Sequence, residues 1–547
     1  MNEPDVVVVG GGPAGSTAAS LLARQGVGVT LLERERFPRD HIGESLLPAS
    51  MPILDALGVL PRLEAQGHLK KWGATMVWGT TREPWSWYFR ETNTQYPHAY
   101  QVWRPAFDQM LLENAAAAGA TVREGCHVLN ALFDGDRAIG VRFTDGDGRE
   151  RQLLAKHVVD ASGQAGLIGR ALSLRRVDPH FRNLAVYGYY EGAARLPEPD
   201  ETNIFIESFE HGWFWSIPLH TGRMSAGAVV DARYGQEGIA RLGASAFLAR
   251  QIDAAPRTRA MLEKARLVRG PHVIRDWSYV SDRVIGPGFI LCGDAACFID
   301  PLFSTGVHLA LSSGLMAAAY VATALTDAVL AEAAAPVYQD LYFQQYSHFR
   351  ELARLFYASN RTVESYFWQV RRVLRDDSLT PREAFVRATA GQSIKGYERA
   401  VLERGELPAD FAESVRALTA THTERARCAR ELLSPSDAGH VVPVLAAGAR
   451  VERKAVLAAS AFAWGDVLIA PHRPEGIEVS PLIRRLVELC DGRRTVAEIA
   501  TAIDGAARGS ASPEALAPTI LQALTILYVD GLIAELVGTA GRMSDRP

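Results

Sequence analysis

Four consecutive β-branched residues, Val6 to Val9, stop at Gly10, and the residues from Ala14 to Arg24 carry small and apolar side chains at helical spacing. That change of period predicts a strand, a tight turn and a helix. A second apolar run, Val27 to Leu32, predicts the next strand and ends at Glu33. Apolar strands that meet glycine turns recur at Val158-Val159-Asp160-Ala161-Ser162-Gly163 and at Phe289-Ile290-Leu291-Cys292-Gly293-Asp294. Together they predict an α/β chain with a Rossmann-like first domain.

Elsewhere the pattern alternates. Trp72 to Trp78 predicts a strand with Lys71 at its entrance, and alternation resumes between about Leu184 and Val230, as in Ala185 to Tyr190 and Phe205 to Phe209. These stretches predict an antiparallel sheet that roofs a pocket. Within it, Gly212-Trp213-Phe214-Trp215-Ser216-Ile217-Pro218 projects Trp213 and Trp215 from one face, either as a pocket wall or as core packing. Arg104 begins an amphipathic helix through Asn114, Asp145-Gly146-Asp147-Gly148 signals a hairpin, and Ala244 to Leu262 reads as a helical excursion.

The long apolar stretch Val307 to Leu325 is alanine-rich and contains His308, Ser312 and Ser313, which predicts a buried helix rather than a membrane span. Leu341 to Val373 is helical and aromatic, with Tyr342, Phe343, Tyr346, Phe349, Phe356, Tyr357, Tyr366, Phe367 and Trp368, and either closes the pocket or packs as a hairpin. Arg371-Arg372 and Asp376-Asp377 read as a solvated face, and Glu403 to Asp437, with Leu407-Pro408 and Ser434-Pro435, as a boundary. Helices at Leu482 to Leu489, Val496 to Ile503 and Ala515 to Tyr528, followed by Gly531-Leu532-Ile533-Ala534, suit a small winged-helix-like fold. The predicted domains are therefore 1–330, with a substrate sheet inserted at about 72–100 and 184–280, a helical region 331–440, and a mostly helical terminal domain 441–547.

With 547 residues, 48% of them apolar, the chain can bury cores for two or three domains. A net charge of −4 with mixed signs argues against nucleic acid as a partner. Five scattered cysteines without a CxxC pair predict a reduced, cytoplasmic protein, and the immediate entry into the nucleotide fold predicts no signal peptide. No metal site is expected.

The candidate chemistry begins at the first turn. Gly10, Gly12 and Gly15 permit the sharp reversal and let a pyrophosphate approach backbone N–H groups, while Glu33 stands where a carboxylate meets a ribose hydroxyl. That acid suits FAD or NAD and disfavours NADP. The loop His41-Ile42-Gly43-Glu44-Ser45 has a plain reading as a capped connection. Lys71 has a plain reading as a solvated lysine, although Trp72, Trp78, Trp85, Trp87 and Tyr88 surround it in sequence with enough aromatic surface for a flat substrate. Arg104 could neutralise a cofactor phosphate. Free N–H groups at Thr305, Gly306 and Val307 offer an anion site, or simply a capped helix start.

Taken together, the Gly10 to Gly15 turn with Glu33, the Gly43-Glu44-Ser45 loop, Arg104, Asp160 to Gly163, and Gly293-Asp294 through Gly306 resemble the FAD-dependent monooxygenase superfamily over about the first 330 residues. Lys71 and the WxWxIP run at Trp213 to Pro218 resemble the flavin-dependent halogenases. Gly43-Glu44-Ser45-Leu46-Leu47-Pro48 and Pro301-Leu302-Phe303-Ser304 are similar to the branch acting on phenolic, pyrrolic or carrier-protein-tethered substrates. The resemblance implies that FAD lies against Gly10, Gly12, Pro13, Ala14 and Gly15, against Glu33 and Arg34, against Ile42, Glu44 and Ser45, and against Arg104, Asp294, Pro301, Gly306 and Val307.

The same resemblance implies that a separate flavin reductase supplies FADH2, that chloride or bromide sits at Thr305 and Gly306, and that hypohalous acid passes to Lys71. There it is held by a hydrogen bond or forms a haloamine before halogenating an aromatic small molecule, free or on a carrier protein. Lys71 is favoured over Lys70 because the family's lysine directly precedes the Xaa-Gly-Ala-Thr portion of the strand. Trp213 and Trp215 would keep substrate away from the flavin. Tryptophan-acting members carry a glutamate immediately before the serine corresponding to Ser304, and this chain has Phe303 there, which favours a phenol or pyrrole over free tryptophan. An aromatic hydroxylase of the same fold is the alternative activity.

Overall fold

The computed structural model describes residues 3–78, 82–179, 181–275, 278–359, 386, 389–390, 424–434, 438–506 and 513–538. Strand β1 (Val6–Val9) pairs in parallel with β2 (Val29–Glu33), Val6 opposite Val29, and on its other side with the strand His157–Asp160, Val6 opposite His157. Six strands line up in the order Ile285–Gly286, Phe289–Leu291, His157–Asp160, β1, β2, Thr121–Glu124. The apolar run at β1 lacks alternation because both of its faces are covered, and all four valines are buried. Helix α1 (Pro13–Arg24) leaves the turn that follows β1. It packs closely on a later helix, α3 (Thr305–Thr326), since a Cβ on Gly314 would lie only 2.4 Å from the Ala14 carbonyl oxygen. Between the two in sequence comes α2 (Arg104–Ala117).

A second sheet has seven strands. Its order is β11 (Arg266–Arg275), β7 (Asn183–Glu191), β10 (Arg223–Asp231), β9 (Gly212–Pro218), β8 (Ile204–Phe209), β4 (Gly73–Val77), β5 (Trp85–Tyr88). All pairings are antiparallel except β4 with β8, which run parallel, Ala74 opposite Ile204. One face, with Leu184, Phe214 and Ala228, packs on Phe247 and Leu248 from the helix Ala244–Ala254. The opposite face presents Tyr187, Trp213 and Trp215 to a cavity.

The strand predicted from Trp72 to Trp78 is β4, and Lys71 at its entrance belongs to a separate strand. Lys71 ends a short β3 (Leu69–Lys71) that pairs with β6 (Ala99–Gln101), and β4 starts after Trp72 with a new partner, β5. Gly73 permits the exchange, because a Cβ there would stand 1.9 Å from the Trp87 carbonyl oxygen. The helical excursion comprises Ala244–Ala254 and Pro256–Leu262, preceded by an unanticipated helix, Ala232–Leu242.

Among the described residues, α3 is the one helix long and apolar enough to cross a membrane, and most of it is buried within the fold. Helix α4 (Ala328–Ser359) follows and buries Tyr338, Tyr342, Tyr346, Phe349 and Phe356. Tyr366, Phe367, Trp368, Arg371, Arg372, Asp376, Asp377 and Leu407-Pro408 lie outside the described residues.

The chain divides into two compact units, one of Met1–Ser393 with Leu457–Phe462, the other of Ile394–Val456 with Ala463–Pro547. Helices Pro481–Leu489, Val496–Ala506 and Pro513–Val529 of the second unit enclose Leu486, Ile499, Leu524 and Ile533. Strands Val441–Leu445 and Ile533–Gly538 pair antiparallel, and Arg450–Leu457, Phe462–Ala470 and Arg473–Glu478 make a further sheet that helical periodicity does not announce.

Candidate active site

The first turn is built by close approach. Gly10 has φ of +101°, and a Cβ there would stand 2.4 Å from the Ala161 carbonyl oxygen, so only glycine lets β1 meet the neighbouring strand end. A Cβ on Gly15 would lie 2.0 Å from the Gly10 carbonyl oxygen, which places Gly15 at the helix-to-turn contact and not on the cavity surface. A cavity of about 510 Å³ opens past this turn, lined by Gly10, Gly12, Pro13, Ala14, Glu33 and Arg34 on one side. Ile42, Glu44, Ser45, Arg104, Asp294, Pro301, Gly306 and Val307 line it on the others. Thus every residue expected against FAD reaches the cavity except Gly15.

Glu33 is buried, and its two oxygens accept N–H bonds from Gly11 at 2.7 Å and Glu35 at 2.9 Å. A carboxylate offers about four lone-pair positions, so capacity for a hydroxyl remains. Arg104 is already paired, through Nε and Nη2, with Asp108 at 2.7 and 2.8 Å, and its Nη1 donates to the Ile42 carbonyl. Burial by itself would raise the Asp108 carboxyl, but Arg104 and Arg39 beside it hold it below the usual carboxylate range. No sequence motif gives Arg39 a role in the site. Arg39 sits 3.2 Å from Asp108, and its Nη2 lies 3.4 Å from where a Gly12 Cβ would be.

The loop after Arg39 runs from this cavity to the lysine. Glu44 is buried, which raises its carboxyl, and it accepts bonds from Tyr189 Oη at 2.8 Å and the Gly43 N–H at 3.1 Å. Two residues on, the Leu46 carbonyl accepts a bond from Lys71 Nζ at 3.0 Å. Lys71 is 2% exposed, stands over the Phe89 ring at 5.4 Å, and is pushed by burial down to about 7. Its side chain does not line the cavity. Lys70 points the other way; its side chain is 45% exposed and pairs with Glu64 at 3.6 Å.

Trp213 and Trp215 are buried, line the cavity, and have ring centroids 6.1 Å apart. Trp215 Nε1 donates to Ser225 Oγ at 3.3 Å and Trp213 Nε1 to Tyr357 Oη at 2.6 Å. Phe303 packs edge-on against Phe356 of α4, centroids 4.9 Å apart. Ser304, with φ of +58°, turns the chain into α3. Gly306 borders the cavity, and Thr305 is buried just behind it. Burial raises Asp294 to about 6, with Arg104 and Arg175 opposing.

A family model described as tryptophan halogenase matches residues 5–97 and 88–405. The chain belongs to the tryptophan halogenase family. A tryptophan 2-halogenase of Chondromyces crocatus is 38% identical over 376 residues, covering 68% of this chain and 71% of that one. A 1H-pyrrole-2-carbonyl-[peptidyl-carrier protein] chlorinase of Pseudomonas fluorescens is 31% identical over 379 residues, 65% of this chain and 84% of that one. The solved structure of CmlS, a flavin-dependent halogenase, superimposes with a TM-score of 0.72 at 29% identity, covering 98% of this chain and 96% of that one.

As a member of the tryptophan halogenase family, the chain is an FADH2-dependent halogenase of aromatic substrates, with FAD as cofactor and halide as co-substrate. The cavity suits the cofactor: a side-chain-free turn at Gly10 and Gly12 leaves room for a diphosphate, and Glu33 keeps free lone pairs for a ribose. Arg39 stands at the Gly12 edge and shares Asp108 with Arg104, whose two-nitrogen pairing takes most of that carboxylate.

Proposed function

We propose that this halogenase acts on an electron-rich ring of phenol or pyrrole type, free or held on a carrier protein, and that Lys71 relays hypohalous acid to it. One observation carries the relay. The Lys71 amine is sealed from solvent and from the FAD cavity, yet hangs from Leu46 on the loop that lines that cavity through Glu44 and Ser45.

Bound FADH2, delivered by a separate reductase, supplies with oxygen the two-electron oxidation of chloride or bromide. The chain's own groups do the rest. Backbone N–H groups of Thr305 and Gly306 hold the halide at the cavity edge, and Trp213 with Trp215 excludes the ring from the flavin side. With its amine near 7, Lys71 has both forms available at neutral pH. The ammonium donates a hydrogen bond to the hypohalous oxygen. The free amine attacks the halogen instead, forming the N–halogen bond as the O–halogen bond breaks and water leaves with the amine proton. The ring carbon then takes the halogen as the N–halogen bond breaks, and the proton displaced from the ring ends on the nitrogen, which regenerates the amine.

Phe303 supports a self-activated ring, since no carboxylate stands at that position to collect the ring proton. The carrier-protein chlorinase relative supports a tethered pyrrole, whereas the Chondromyces relative is named for tryptophan. The unit beginning at Ile394 serves as a docking or structural part, and the five free cysteines suit a reduced cytoplasmic setting. The test is mass spectrometry of an aromatic panel, free and carrier-loaded, with enzyme, FAD, a reductase and halide. A halogen isotope pattern lost in Lys71→Ala is expected. Equal turnover by the variant removes Lys71 from the relay, and oxygenated product replaces this reading with a hydroxylase.

A further inference from the structure

Tyr357, near the C-terminal end of α4, joins three parts of the first unit through one hydroxyl. It receives the Trp213 indole N–H from β9 at 2.6 Å and the Asn183 side-chain N–H from β7 at 3.3 Å. With both of those donating, its own proton is directed to Asp300 Oδ2, 2.9 Å away. Asn183 also donates to the same Asp300 oxygen at 3.1 Å. The other oxygen, Oδ1, accepts the Leu302 N–H at 2.9 Å, and Ser304 N–H closes on the Pro301 carbonyl at 3.0 Å. Asp300 therefore fixes the two-residue turn that delivers the chain, through left-handed Ser304, to Thr305 and Gly306.

Non-glycine residues adopt φ near +58° at a cost, and persist there only when neighbouring bonds over-determine the backbone. Asp300 supplies those bonds on one side. Its carboxylate is buried, and each of its three partners is a donor, so the anion is the form the cluster is built around. The Tyr357 ring is itself wedged edge-on between Trp78 and Phe181, centroids 6.5 and 5.5 Å away, so the hydroxyl is aimed by packing.

We propose that Tyr357 is a positioning residue for the halide turn, acting through Asp300, so that the seating of α4 against the tryptophan wall and the shaping of the turn before α3 are one event. This rests on the reading of Thr305 and Gly306 as the halide site. A residue that merely filled space would affect stability and every ligand alike. A residue that shapes the turn would affect the halide selectively.

The experiment is a titration of FAD-loaded protein with sodium bromide and sodium chloride at constant ionic strength in sulfate, followed by flavin absorbance and tryptophan fluorescence. Tyr357→Phe keeps the ring and deletes the hydroxyl. The expected result is a halide Kd raised about tenfold, with FAD affinity unchanged, the size of one lost charge-assisted hydrogen bond. Asp300→Asn should raise it comparably, and the double variant should add little to either single one, because both break the same link. Unchanged halide Kd in a folded Tyr357→Phe protein, or equal losses for halide and FAD, overturns the proposal. A wild-type protein with no saturable halide response removes the halide site itself and this role with it.

Discussion

The charge of Lys71 is set by burial and not by a partner: its value falls from 10.5 to about 7 with desolvation as the cause. Between about pH 7 and 10.5 the unfolded chain holds a proton that the folded one has released, so stability rises with pH across that window and the full penalty applies below it. Lys71→Met should therefore raise the midpoint of urea unfolding most at pH 6, with the gain shrinking steadily toward pH 10. A gain independent of pH would show that the amine is charged at an ordinary value. The choice of Lys71 is legible through the family's lysine position before Xaa-Gly-Ala-Thr; once Lys71 faces inward, strand alternation sends Lys70 to solvent beside Glu64. The places of Arg39 and Tyr357 are not legible. Each is set by partners far along the chain, as Arg39 is by Asp108 and Tyr357 by Trp213 and Asp300.

Among the elements, those with one strong period came out of the sequence with their type and nearly their limits: β1, α1, β2 and α3 are examples. The run through Lys71 and Trp72 shows the converse, since alternation persists across a point where the strand changes partners and only the backbone approach at Gly73 reveals it. The strands between Val441 and Glu478 are not announced by a clean period: Arg450–Leu457 is mostly exposed or half-buried and carries charges at four of its first five positions. Contact between α1 and α3 depends on Gly314. Gly314→Ala should cost about 1–3 kcal/mol through overpacking against the Ala14 backbone, and because Ala14 borders the cavity it should weaken FAD binding too. Urea unfolding and flavin fluorescence titration measure the two effects; full FAD affinity would mean that α1 moves without disturbing its turn.

At the scale of the whole chain, sequence order and spatial order diverge. Residues 457–462 return to the first unit, where the Phe462 N–H donates to Thr323 Oγ1 at 2.8 Å and its ring meets Tyr320 with centroids 6.4 Å apart. Phe462→Ala should remove about 3 kcal/mol from that unit, read as a shift in urea midpoint, with FAD affinity at the turn retained. Loss below about 1 kcal/mol would mean the segment is only loosely seated.

The parallel pairing of β4 with β8 has its own consequence. Strand Thr121–Glu124 and strand His157–Asp160, which belong to the six-stranded sheet, are synthesised between those two partners. On the ribosome, Gly73–Val77 must wait for Ile204–Phe209 while its neighbours in sequence are already assembling elsewhere, so closure of the seven-stranded sheet is a late, long-range step in maturation. Neither sheet can be cut out as a contiguous piece, and a nascent chain released before Phe209 would expose an unfinished edge to aggregation.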